Sequence, residues 1–430
     1  MSPSLDRSDR TGESLPGWRG LWLALVLSLG AAVSLGVTRF AYGLLLPPMR
    51  EDLAWSYTLA GSMNTFNAMG YLIGALSTPW LMKRLGPGRL LLAGSALASV
   101  FMAGSGFFVD PAPLLLQRLL AGLASAWVFV AGGLLAARLG ARWPQRSGLL
   151  LGLYYGGTGW GIVASALSVP WVLEAMASRP HAWAWAWWWL AALCALATLA
   201  LAWVAKALSV ADTTDPSPVS PTSAEPGRPP LHPVRMSRFA PALAGYSLFG
   251  VGYIGYMTFV IALLRDQGVS GQAITLFYSL LGLAVVASSR IWAGLLDRHR
   301  DGQPLARLNG LLGLATIMPA LTAAWPMLLV SGLLFGGVFL SVVASTTALV
   351  RHNLPADRWA AGISAFTIVF AAGQIIGPTV VGWIADGPGG LQRGLVFSAL
   401  ALWVGSLLAW RQKAFPRADG HPEGRPNGPV

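Results

Sequence analysis

The chain is poor in charge and nearly free of cysteine, and each shortage closes a class of explanation. Only 11% of its 430 residues are Asp, Glu, Lys or Arg, where a soluble chain of this size carries about a quarter. With so few charges the surface cannot be wetted all round, so much of it must face lipid. Cys194 is the only cysteine, which excludes a disulfide framework and any multi-cysteine metal cluster. The five histidines (His181, His232, His299, His352 and His421) are expected in loops or tails, as are all 17 Asp and Glu residues, the latter also at helix ends. With no His or acid inside a span, neither a nucleophile–base pair nor a metal site can be assembled at one depth. An enzyme is therefore not expected, and no cofactor. A soluble output domain is missing too. The longest polar piece, 206–238, has seven prolines and cannot bury a core, which argues against a non-transporting sensor.

What is present is apolar sequence: 55% of the residues, with a mean hydropathy of +0.59. A membrane helix needs about 20 such residues to cross about 30 Å of hydrocarbon. Twelve segments qualify, from Leu21–Leu46 to Leu391–Trp410, six on each side of 206–238. In the ninth, Leu308–Ala324, Pro319 is expected to interrupt the span. The expected division is a cytoplasmic tail (1–19), a six-helix bundle (20–205), a cytoplasmic Pro/Ser-rich linker (206–238), a second six-helix bundle (239–411) and a cytoplasmic tail (412–430). The first 19 residues mix both charges without a short apolar core, so they do not read as a cleaved signal.

Basic residues set the orientation. With the N-terminus inside, the inner loops and tails hold 22 Lys and Arg, the outer loops only four (Arg50, Arg179, Arg265 and Arg393). That bias places both termini in the cytoplasm of a multi-pass inner-membrane protein. It also accounts for the net charge of +12 without nucleic acid. The Trp183–Trp189 cluster at the outer start of the sixth span reads as an interface anchor.

An internal repeat is superimposed on this pattern. A constant offset of 214 residues lays Gly36-Val37 on Gly250-Val251, Tyr42 on Tyr256, Gly122 on Gly336, Gly148 on Gly362 and Gly159 on Gly373. Two repeated six-helix halves are the organisation of alternating-access carriers.

Over its whole length the chain resembles the major facilitator superfamily. Ala293-Gly-Leu-Leu-Asp297-Arg298 is similar to the superfamily's acidic–basic loop motif, Arg118-Leu-Leu-Ala-Gly122 to its helix 4 pattern, and Gly373-Gln374-Ile-Ile-Gly377-Pro378 to its helix 11. The first-half loop, Lys83-Arg84-Leu-Gly86, has lysine where the superfamily usually has aspartate. Within the superfamily it looks like the YbfB/YjiJ-type subfamily, on Gly36-Val-Thr-Arg39-Phe40-Ala-Tyr42, Gly252-Tyr253-Ile254 and Leu334-Phe335-Gly336-Gly337. The resemblance implies an all-α membrane protein of twelve helices in two pseudo-symmetric bundles. It also implies that helices 2 and 11, and 5 and 8, meet across the halves.

Charges inside spans carry the functional reading, because burying one costs at least about 2.5–3.5 kcal/mol. There are three, Arg39, Arg118 and Arg290, and no carboxylate accompanies them. A buried cation without a partner wants an anion, and the arginine fork suits a carboxylate or phosphate. The expected cargo is thus a small organic anion held by Arg39 with help from Arg118. The bland role for Arg118 is a bond to the first helix's backbone. Tyr42, Asn67, Tyr253, Tyr256 and Gln374 could shape the pocket; helix–helix glue is the plainer role for each. Lys83, Arg84, Arg290, Asp297, Arg298, Gly373, Gly377 and Pro378 are the candidate gating positions. Glycines four apart (Gly70/Gly74, Gly148/Gly152/Gly156, Gly157/Gly161, Gly373/Gly377) mark close helix contacts. The remaining expectations are a monomer in the lipid bilayer, a small-molecule substrate, and a proton as candidate coupling ion through Asp297, Asp386 or a tyrosine. The alternatives are an efflux permease for neutral or hydrophobic small molecules, and a membrane sensor.

Overall fold

A computed structural model describes residues 17–214, 236–355 and 358–415. The expected tails (up to 16 and from 416) and the linker core (215–235) lie outside the described residues. All regular structure within them is helical. Twelve long helices occur among the described residues. The first six are α1 (Gly20–Asp52), α2 (Tyr57–Leu85), α3 (Pro87–Ser105), α4 (Pro111–Ala141), α5 (Ser147–Ala175) and α6 (Ala182–Thr214). The second six are α7 (Ala240–Asp266), α8 (Gly271–Ile291), α9 (Gln303–Leu321), α10 (Trp325–Asn353), α11 (Trp359–Ala385) and α12 (Gly390–Trp410). A short helix, Ala293–Arg298, follows α8.

Local signals set these limits. α2 stops at Gly86, whose φ of +77° only glycine adopts freely, and Pro87 then opens α3 from the first-turn position that tolerates it. Gly389 and Gly390, both at positive φ, turn α11 into α12. Pro319 lies inside α9 without ending it, and α6 continues to Thr214, into the segment assigned to the linker.

Ten of the twelve are long and apolar enough to cross a membrane by composition alone. The other two are α2 and α5, each 29 residues. Their Gly, Asn, Ser, Thr and Tyr dilute the signal. They are also the two helices that carry the main seams between the halves, so less of their surface has to satisfy lipid.

Helix pairing repeats. α1 packs on α5 and α6, α2 on α4, and α3 on α4 and α6; likewise α7 packs on α11 and α12, α8 on α10, and α9 on α10 and α12. The 214-residue offset survives at atomic detail. Gly122 seats on the Asn67 carbonyl and Gly336 on the Leu281 carbonyl, partners that the same offset relates. The halves meet through α2 against α11, α5 against α8, and the later part of α1 against α7.

The glycines make close helix contacts of two kinds. Gly70 and Gly74 approach α4, Gly157 and Gly161 approach α1, and Gly373 and Gly377 approach α7. All three pairs therefore close seams inside one half. The tight glycine contacts between halves include Gly43 against the Met257 carbonyl, Gly61 against the Pro378 carbonyl, Gly382 against the Tyr57 carbonyl, and Gly159 against α8 at Gly282 and Val286. A Cβ at any of these would collide with backbone, so a four-residue glycine spacing locates close packing without naming the partner helix.

Candidate functional site: an arginine chamber beneath a sealed end

The site begins with an irregularity in α1. Residues Ala32–Phe40 wind as a π-helix, a form that recurs at functional sites. Gly36 lies so close to Gly161 and the Thr158 carbonyl that a Cβ would collide, and the Thr38 hydroxyl donates back to the Val33 carbonyl at 2.6 Å. Widening the turn leaves carbonyls free of the regular ladder. Thr38 O accepts from Arg118 Nη1 at 2.7 Å, and Phe40 O accepts from the Tyr278 hydroxyl of α8 at 2.8 Å. Arg39 lies between them.

Two of the three Arg118 guanidinium nitrogens bond to the protein, and Nε is buried without a partner among the described residues. Besides Thr38 O, its Nη2 donates to Asn64 Oδ1 at 3.0 Å, and its guanidinium lies 5.0 Å from the Tyr42 ring and 5.4 Å from the Trp187 ring. Asn64 Nδ2 in turn donates to the Thr258 hydroxyl of α7 at 2.8 Å, so one chain of bonds runs from α1 through α4 and α2 into the other half. Trp183 and Trp187 do more than anchor an interface. Both are buried, Trp183 donating to Asp52 Oδ2 and Trp187 to the Met49 sulfur.

Arg39 is the opposite case. It is 2% exposed, its Nε and Nη2 are buried without a hydrogen-bond partner among the described residues, and the Tyr71 ring centre lies 5.8 Å from its guanidinium. The 214-residue offset maps Arg39 onto Tyr253, and the two lie within electrostatic reach of each other from opposite halves. The Tyr253 ring belongs to an aromatic ladder: 4.8 Å from Phe249, 5.6 Å from Phe370 and 5.8 Å from Phe339, with Tyr246 and Phe40 extending it. Gln374, one turn beyond Phe370 on the same face of α11, is buried and makes no side-chain hydrogen bond among the described residues.

The remaining positions separate by their bonds. The Tyr42 hydroxyl donates to Ala60 O at 2.8 Å, Asn67 Nδ2 to Arg118 O at 3.1 Å, and the Tyr256 hydroxyl pairs with Ser331 at 2.7 Å. All three glue helices together. Lys83 and Arg84 end α2 exposed, with Arg84 on the Trp80 ring, and Asp297 and Arg298 are exposed on the short helix. Pro378 lies on the α2–α11 seam. Sequence reading missed Tyr71, Phe249, Phe339 and Phe370 as members of the buried cluster around Arg39 and Tyr253 that makes up the chamber. For α7 the signal was available: Tyr246, Phe249, Tyr253 and Tyr256 recur at intervals of three and four, one helical face.

Bonds between the halves concentrate at the end of the bundle opposite the chain termini. Asp386, just past α11, accepts from the Tyr57 amide (2.6 Å), the Thr58 amide (2.9 Å) and the Thr58 hydroxyl (2.6 Å), while Ser56 caps Leu59. The free amides of the α2 N-terminus are thus filled partly from the other half. The Tyr57 hydroxyl donates to Asp266 at 2.9 Å and Arg50 lies 3.8 Å from its ring. Deeper in the seam the Thr65 hydroxyl meets Ile375 O and Thr379, both at 2.8 Å. Partial burial pushes the Asp386 carboxyl up, but the Thr58 and Tyr57 hydrogen bonds, with Arg50 nearby, outweigh it and hold the group below its usual value. At the terminal end the picture reverses: Gly156 lies against Val286, whereas Gly148 has open space around it. α5 and α8 part there.

Two six-helix halves, paired alike and joined by seams that close at one end and part at the other, define a transporter of the major facilitator class. Sequence comparison is more specific: the chain belongs to the family described as the uncharacterised MFS-type transporter YbfB, whose pattern matches residues 31–410. Solved structures share the fold over nearly the whole chain. The nucleoside transporter NupG aligns with a TM-score of 0.65 at 12% identity, covering 92% of this chain and 99% of that one. A peptide transporter, POT, in complex with sulfate gives 0.67 at 15%, covering 91% and 94%. A bacterial homolog of the human lysosomal transporter Spinster, inward-facing and unoccupied, gives 0.64 at 15%, covering 91% and 96%. Among curated proteins, the multidrug resistance protein MdtG of Serratia proteamaculans is 27% identical and that of Enterobacter lignolyticus 26% identical, each over 153 residues. The match spans 34% of this chain and 36% of each relative, about a third of their length.

Proposed function

We propose that this carrier moves a small organic anion of the carboxylate type, with the acid group on Arg39 and the body of the molecule against the Tyr253–Phe370–Phe339 ladder. One observation carries the reading: a guanidinium that is 2% exposed and has two donor nitrogens without partners. Leaving such groups unpaired costs free energy that a bidentate acid group recovers. Tyr253 and Gln374, both without side-chain hydrogen bonds among the described residues, supply further polar contacts. Arg118 contributes by holding the π segment of α1 in place. The chain works as a monomer, since one copy supplies both walls of the chamber, and by alternating access. The excess of basic residues at the terminal end supports both termini being cytoplasmic; the parted end is then the inward one. A proton is the candidate coupling ion.

A second reading, efflux of neutral or hydrophobic compounds, draws on the aromatic ladder and on the likeness to MdtG. Thermal stability of purified wild type and Arg39→Gln with carboxylates, phosphates, sugars and cationic drugs separates the two. The expected result is a shift by a carboxylate in wild type that vanishes in Arg39→Gln, matched by saturable carboxylate flux into proteoliposomes. Shifts from neutral or cationic compounds alone, equal in both proteins, support the second reading instead.

A further inference from the structure

The parted end of the α5–α8 seam holds a cavity of about 810 Å³. Its walls are Gly148, Leu149, Gly152, Leu153 and Trp160 of α5 and Leu283, Val286, Ala287, Arg290 and Ile291 of α8, with Ala293 beyond. No chamber residue lines it. The rim residues Trp160, Leu283 and Ile291 are exposed apolar side chains, which at this depth face acyl chains. From Gly148 to Trp160 the groove follows α5 for roughly 18 Å at about 1.5 Å per residue, close to half of a hydrocarbon core about 30 Å thick. At its terminal mouth stands Arg290, exposed, one residue from the end of α8, and without a partner among the described residues.

We infer that this groove is a binding site for an anionic phospholipid of the adjoining leaflet, with one acyl chain along the glycine floor and the phosphate on Arg290. Length and charge fix the occupant. The apolar walls accept a chain of one leaflet's depth, and the single cation lies at headgroup level, where a basic residue attracts anionic lipid. An acyl chain here occupies the space that α5 and α8 must close when that end seals. Bound lipid therefore favours the conformation parted at the terminal end. The site is independent of the cargo in the chamber.

Native mass spectrometry of the full-length protein, loaded with dioleoyl phosphatidylglycerol or dioleoyl phosphatidylcholine, reads the site directly. Wild type is expected to retain the anionic lipid over the zwitterionic one by about fivefold, the value of one basic residue near a membrane surface. Arg290→Gln abolishes the preference and still retains lipid. Gly148→Leu fills the floor and loses both lipids; the open space at Gly148 lets leucine in without a clash, so this variant keeps the fold. Glycerol phosphate without chains gives no thermal stabilisation of wild type. A headgroup preference unchanged in Arg290→Gln, equal lipid retention by Gly148→Leu and wild type, or stabilisation by free glycerol phosphate would each overturn the proposal.

Discussion

Arg118 and Arg39 are buried to the same depth of solvent exclusion, one on α4 and one on α1, yet their surroundings are opposites. Around Arg118 two carbonyl-type acceptors and two rings are already in place, and the neighbouring Asn64 passes the network on to Thr258 in the second half. Around Arg39 there is a ring, and Nε and Nη2 meet no acceptor among the described residues. Residue type and degree of burial are the same, so the difference lies in what the protein has provided. Where it supplies acceptors, the cation is part of the scaffold. Where it supplies none, the cation waits for a ligand.

Removing each arginine separates the two corners most strongly. Arg118→Met breaks two charge-assisted bonds and strands Thr38 O and Asn64 Oδ1 in the interior. It is expected to lower unfolding stability by about 3 kcal/mol or more, measured as the thermal midpoint of purified protein without ligand. Arg39→Met relieves an unpaired buried charge and loses no internal bond, so the same measurement is expected to show unchanged or higher stability together with loss of substrate binding. If the two variants destabilise equally, the contrast between scaffold and ligand site is wrong.

The contrast also explains how much could be read from sequence. That both arginines are buried follows from hydropathy, and their value from the absence of acids in the spans. What separates them is a π-helical turn in α1, where Gly36 approaches Gly161 on a helix far away in the chain. No periodicity within α1 announces it. The twelve-helix plan was legible because each span carries its own apolar run and the 214-residue repeat links the halves, even though α2 and α5 carry the weakest runs. The seams were less so. Gly373 and Gly377 have the spacing of a contact surface, but spacing does not say that α7, rather than α2, is the partner. Asp386 stood out as a candidate proton route; its place at the α2 N-terminus depends on two helices from different halves meeting end to end.

A smaller effect tests whether the Arg118 corner is tied to the sealed end. Gly61 lies one turn before Asn64 on α2, and a side chain there meets the Pro378 carbonyl and the Phe259 ring. Gly61→Val is expected to hold α2 off α11 and draw Asn64 from Thr258. In a Thr65→Cys/Thr379→Cys background, whose hydroxyls stand 2.8 Å apart in wild type, the yield of disulfide cross-linking should fall severalfold. Arg39→Met in the same background should leave the yield as it was. A drop in both would mean that the Arg39 chamber, too, helps close this end.

The smallest expected effect concerns protons at the latch. Asp386 is held below the usual carboxylate value while it caps α2, so the latch is at full strength above the unlatched value, about 3.9, and is lost as pH falls through the lower latched value. The sealed end should then be equally closed from pH 8 down to about pH 5 and begin to open only below about pH 4. Cross-linking between Thr65→Cys and Thr379→Cys by a bifunctional mercurial, which still binds thiols in acid, tests this. Asp386→Asn should show a lower yield with no pH dependence, because an amide offers one acceptor oxygen to three donors. A transition centred near pH 6 in the Asp386 protein would place the carboxyl above its usual value and make the latch itself the proton carrier. A flat profile through the neutral range leaves the latch charged in this conformation. Any proton taken up at Asp386 must then bind after α2 and α11 separate, when its three donors have left it for water.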